Sequence, residues 1–172
     1  MSDLLYFTYD IVSLGGDNVT ELEQLENEAY EDNVEIVDYH FYSNRIKGLY
    51  CDGTVALSST IKTDTEKKCI LAEELGHHHT AFGNITGDDI SSRKQELHGR
   101  LYAYDKLIGL NGILRAYQRG CRSMHDTAEF LDVTEDFLLE ALNKYRQRYG
   151  VYTIIDNYVI YFEPSLGVFE LI

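Results

Sequence analysis

The chain is 172 residues long and carries 15 Lys+Arg against 29 Asp+Glu, a formal net charge of −14. A chain of this length buries roughly 70% of its extended-state surface, enough for a core without metal or disulfide staples. At 44% hydrophobic and 12% aromatic residues it is not a disordered acidic tail. The charge argues against generic binding to nucleic-acid phosphates or to an anionic membrane surface. No apolar run approaches the roughly 18 residues that a membrane span needs. The start, Met1-Ser2-Asp3-Leu4, lacks the basic stretch of a secretory signal, and Cys51, Cys69 and Cys121 are odd in number and widely spaced. Together these predict a cytoplasmic protein with reduced thiols.

The charge is concentrated. Residues 1–40 hold eleven acids and no Lys or Arg, and the remaining 132 residues carry 18 acids against 15 bases, or −3. Residues 1–19 read as an acidic N-terminal segment, and the acids that follow read as a solvated helix face.

In chain order, Thr20-Glu-Leu-Glu23 is a capping-box pattern that predicts a helix to about Asp32. Val34–Tyr42, rich in β-branched and aromatic residues, predicts a strand. Gly48–Cys51, Asp52-Gly53 and Thr54–Leu57 predict a hairpin, since Asp-Gly supplies the positive φ angles of a type I′ turn. Thr63-Asp-Thr-Glu66 opens a helix to about Thr80, and Ser92-Arg-Lys-Gln95 opens another to about Ile108. After Gly109 and Gly112 a shorter helix runs to Arg119. Met124–Leu131 and Thr134–Tyr149, broken at Asp132-Val133, predict a helix-turn-helix-like pair. Val151–Ile155 and Tyr158–Phe162 predict a second hairpin, and Gly167–Ile172 is a candidate third strand.

The segment with chemical content is Cys69-Ile-Leu-Ala-Glu-Glu-Leu-Gly-His-His-His-Thr80. On a helix, residues i and i+4 lie about 40° apart around the axis. Glu73 therefore projects with His77, and Glu74 with His78. Carboxylate and imidazole are both competent metal ligands. Glu74, one residue along from Glu73, stands where a metalloprotease keeps its general base. The alternative frame of Glu74 and His78 leaves no upstream base.

The order of motifs extends this. The hairpin Lys47–Leu57 leads into Lys67-Lys-Cys-Ile-Leu-Ala-Glu-Glu-Leu-Gly-His77, and then comes Glu96-Leu-His-Gly-Arg-Leu-Tyr-Ala103. This arrangement resembles the ImmA/IrrE family of metallo-endopeptidases of phages and integrative elements. That family pairs an H-E-L-G-H-type helix with a following E-x-x-A-x-x-[FW]-A helix. Val133–Phe137 and Tyr158–Pro164 look like the Gram-positive phage branch. The resemblance implies metal ligands at Glu73, His77 and Glu96, a catalytic general base at Glu74, and zinc as cofactor. Gly99 and Tyr102 stand at the family's small and aromatic positions.

Glu73 departs from the usual His. Two carboxylate ligands neutralise a divalent ion more fully and lower the acidity of its water, and oxygen-rich ligation also admits manganese or iron. The implied fold class is α+β: a zincin-like helical core with a small β-hairpin sheet over 20–120, and a helix pair plus β-hairpin over 121–172 packed on the same body. The implied partner is a helix-turn-helix repressor, cleaved by the chain, or gripped without cleavage if the site has lost activity. A third reading is a metal-binding regulator with no protease substrate.

Other features carry less. Cys69, one turn before Glu73, reads as a small apolar filler, and His98 as structural or exposed. Ser123–Tyr149 has six acids and three bases, which does not suit a helix in a DNA groove. The edge of the Gly48–Leu57 hairpin could take up an extended substrate by backbone pairing. The acids Glu21, Glu23, Glu26 and Glu28 could steer a basic repressor.

Overall fold

The computed structural model describes residues 19–80 and 89–171, with side chains between 89 and 95 left out. The acidic segment 1–19 thus lies outside the described residues except for Val19. The fold is α+β, with six helices and two three-stranded sheets among the described residues.

Helix α1 spans Glu21–Glu31 and is closed by the full capping box: Thr20 accepts from the Glu23 N–H, and the Glu23 carboxylate accepts from the Thr20 N–H. Asn33 turns the chain with φ 58° into strand β1, Glu35–Tyr39. Strands β2, Gly48–Cys51, and β3, Thr54–Ser58, form the expected hairpin, with Asp52 and Gly53 at φ 46° and 80°. The sheet order is β1-β3-β2, with β1 parallel to β3. This parallel pairing is absent from the sequence reading, and it explains why β1 stops at Tyr39 rather than Tyr42. Its partner ends at Ser58, so Phe41 and Tyr42 have nothing to pair with. It also places β3 at the centre, so the free edge of the hairpin belongs to β2, and Leu57 is a buried core residue.

Helix α2, Asp64–Thr80, buries Cys69, Leu71, Ala72, Leu75 and Gly76. Half of its capping box forms: Thr63 accepts from the Glu66 N–H at 3.1 Å, while the Glu66 carboxylate takes the Lys62 N–H. Helix α3, Asp89–Leu107, begins before the predicted box at Ser92, whose side chains lie outside the described residues. Gly109, at φ 57°, separates it from α4, Gly109–Arg119.

Helices α5, Met124–Phe130, and α6, Glu135–Tyr149, form the expected pair, each with a side-chain cap, from Ser123 and Thr134. Asp132, at φ 49°, makes the break between them. Its carboxylate reaches back to α2, accepting from Thr65 at 2.6 Å and from the buried Lys68 at 2.7 Å. Strands β4, Tyr152–Ile155, β5, Tyr158–Tyr161, and β6, Gly167–Glu170, complete an antiparallel sheet, so the candidate third strand forms. One hydrophobic core runs from Leu25 to Val168, across the 120/121 boundary.

Candidate metal and catalytic cleft

Helix α2 packs on α3 through two glycines. A Cβ on Gly76 would fall 2.1 Å from the Gly99 carbonyl oxygen, and one on Gly99 would fall 2.8 Å from His77 Nδ1. Only residues without side chains allow this approach. It puts His77, the neighbour of Gly76, beside Glu96, one turn before Gly99: His77 Nε2 lies 3.5 Å from Glu96 Oε2.

Glu73, Glu74, His77 and Glu96 all line one open cleft of about 1330 Å³. Strand β2 forms part of its wall. Gly48 is in tight contact with Glu74, where a Cβ would lie 2.6 Å from Oε1. The Tyr50 backbone N–H lies close enough to the Glu74 carboxylate to favour its charged form, so the exposed edge of the sheet and the candidate base are neighbours. Helix α6 contributes Asp136, Phe137 and Glu140.

The cleft is electrostatically loaded. Burial pushes the Glu73 carboxyl up to about 7; Arg100 opposes the rise, and the charges of Glu140 and Glu96 add to it. Burial likewise pushes Glu74 up to about 7 against the Tyr50 N–H, with Glu73 and Glu96 adding repulsion. These carboxylates are short of positive charge. What they have is Arg100, whose Nε lies 2.7 Å from Glu96 Oε1 and whose Nη1 lies 3.1 Å from Glu140 Oε2. Tyr104, fully buried, donates its hydroxyl to the same Glu140 oxygen at 3.0 Å. Burial raises the pKa of that hydroxyl, which stays protonated.

Donor type and charge fit a divalent cation, with Glu73, His77 and Glu96 as the residues that would hold it. Their donor atoms are not gathered into one cage. The trio among the described residues whose donors all lie within 4.8 Å of one another is Asp32, His78 and His79. His78 does not line the cleft; its Nδ1 is 2.8 Å from the Tyr50 hydroxyl. Of the Glu74–His78 frame, therefore, only Glu74 reaches the cleft. His98 is exposed. Cys69 is buried and its thiol is pushed up to about 11 by desolvation, which suits an inert filler.

Arg100, Tyr104 and Glu140 are absent from the sequence reading. Arg100 was within reach of it, because it lies four residues after Glu96, the same spacing that joins Glu73 to His77. Glu140 lies 40 residues from Arg100 and no local pattern announces it.

No helix among the described residues is long and apolar enough to cross a membrane. Comparison of the chain with protein-family models, with curated proteins and with solved structures found no match.

Proposed function

We propose that the chain is a cytoplasmic metal-dependent endopeptidase with a zincin-like core, of the ImmA/IrrE type, acting on a helix-turn-helix repressor of a mobile element. The observation that supports this is the convergence of Glu73, Glu74, His77 and Glu96, from two helices, on one cleft beside a sheet edge. A divalent ion, zinc or the oxygen-tolerant manganese or iron, would supply Lewis-acid polarisation of a peptide carbonyl. Glu74 takes a proton from the attacking water and returns it to the leaving amine. Burial raises the proton affinity of Glu74 in the metal-free cleft, in the direction a group that takes and returns a proton needs. Strand β2 offers its edge to an extended substrate segment, which aligns the scissile bond with Glu74.

A second reading is favoured by one specific observation. Arg100 already bridges Glu96 and Glu140 across the cleft. A guanidinium in this place suits a non-catalytic module that keeps the fold and grips the repressor. Cleavage of the cognate repressor by wild type but not by Glu74→Gln supports the enzyme. Equal relief of repression by both proteins, with no cleavage, overturns it in favour of the binding module.

A further inference from the structure

We propose that Asp32, His78 and His79 form a second site for a divalent transition metal, outside the cleft. One donor atom from each residue lies within 4.8 Å of the other two. Tetrahedral bonds of about 2.0–2.1 Å place donors about 3.4 Å apart, so the donors need to close by no more than about 1.4 Å. Two imidazoles and one carboxylate suit zinc, nickel or cobalt rather than magnesium or calcium.

The fold explains why the three meet. Asp32 caps the C-terminus of α1, and His78 and His79 lie in the last turn of α2. Two helix C-termini meet here, and their free carbonyls favour a cation. The rings are held. His78 Nδ1 is 2.8 Å from the Tyr50 hydroxyl, which also accepts the Gly53 N–H at 3.2 Å. His79 Nε2 lies 3.5 Å from Asp32 Oδ2 and 3.0 Å from Glu28 Oε1. The Tyr50 contact on His78 is an outer hydrogen bond of the kind that orients imidazole ligands in metal sites, whereas an ion taking His79 Nε2 displaces its contact with Glu28. Glu28 also pairs with Lys106 and accepts from Tyr102. Its charge is thus largely answered, and the carboxylate left to an incoming ion is that of Asp32.

An ion in this place ties the end of α1 to the end of α2, one residue beyond His77. It would hold the helix turn that carries the imidazole of the cleft, whether or not the cleft is catalytic.

The test is zinc titration of the untagged full chain by calorimetry, together with thermal melts. A variant lacking the cleft donors, Glu73→Gln with His77→Gln, is expected to keep one tight zinc equivalent and a zinc-dependent rise in Tm. Adding Asp32→Asn and His79→Gln is expected to abolish both. In the otherwise intact chain, Asp32→Asn alone alters an exposed side chain and is expected to weaken one equivalent at least about tenfold. That arm stands even if the cleft variant fails to fold. Tight zinc binding indifferent to Asp32→Asn and His79→Gln, or no tight binding at all, overturns the second site. Zinc lost only on changing Glu73 and His77 would support the cleft while removing this site, so the two failures are distinct.

Discussion

Gly76 and Gly99 meet backbone to backbone, with room for no side chain between them: a methyl group on Gly76 would lie 2.1 Å from the Gly99 carbonyl oxygen. The contact sets the spacing of α2 and α3 and therefore the distance between His77 and Glu96. Gly99→Ala is expected to displace the His77 ring, since its Cβ would stand 2.8 Å from Nδ1. The cost is about 1–3 kcal/mol of stability from overpacking, with loss of cleft metal binding. Gly76→Ala, which meets rigid backbone rather than a ring, should cost more. Chemical denaturation and metal titration of the two variants check the order.

The two buried carboxylates set a pH dependence. Glu73 and Glu74 have pKa near 7 in the folded chain against an ordinary 4.5. Between those values the folded state holds more protons than the unfolded state, so stability falls as pH rises through this window, and the loss is complete above pH 7. The metal-free protein is therefore expected to melt at a lower temperature at pH 8 than at pH 5.5. Glu73→Gln with Glu74→Gln should flatten that slope. Melting curves in metal-free buffer across pH 5–8 check both.

Arg100 competes with any divalent ion for Glu96. Arg100→Gln frees the carboxylate and removes the guanidinium that offsets Glu73 and Glu140. Cleft affinity for zinc is expected to rise on the order of tenfold, the equivalent of about 1.4 kcal/mol. Competition with a chromogenic chelator measures it. Unchanged affinity would mean that Arg100 swings clear when an ion enters.

The acids of α1 are engaged, which revises the expectation that they form a free steering face. Glu21 pairs with Lys68 at 2.6 Å and Glu26 with Lys67 at 2.7 Å, Glu28 serves His79, Tyr102 and Lys106, and Glu23 closes the capping box. Changing all four to Gln is expected to lower Tm as well as any partner on-rate. Glu21→Gln with Asp132→Asn should cost several times more than Glu26→Gln, because it strips both anionic partners from the buried Lys68 ammonium. The Glu26–Lys67 pair, half-buried and still reached by solvent, contributes about 1 kcal/mol. Thermal denaturation of these three proteins is the check.

Much of the local structure was legible because its causes are local. Capping residues at Thr20 and Thr63, the Asp52-Gly53 turn and the 3.6-residue period act within one turn of chain, and the elements they announce are present. The same short range reads Glu73 with His77 on one helix face and finds Gly76 and Gly99 in their motifs. Pairings between distant parts of the chain have no such signature. The parallel register of β1 on β3, the reach of Asp132 to Lys68 and the arrival of α6 at the cleft depend on how faces pack.

What the sequence by itself determined is which residues of α2 bear candidate donor groups and which helix face presents them, since both follow from residue type and helical period. Only the tertiary structure decided their company. It put Arg100 between Glu96 and Glu140, gave β2 the open edge beside Glu74, and sent His78 and His79 to Asp32 rather than to the cleft. The reason is that charge neutralisation and donor convergence depend on distance in space. That distance is set by close packing such as the Gly76–Gly99 contact, not by separation along the chain.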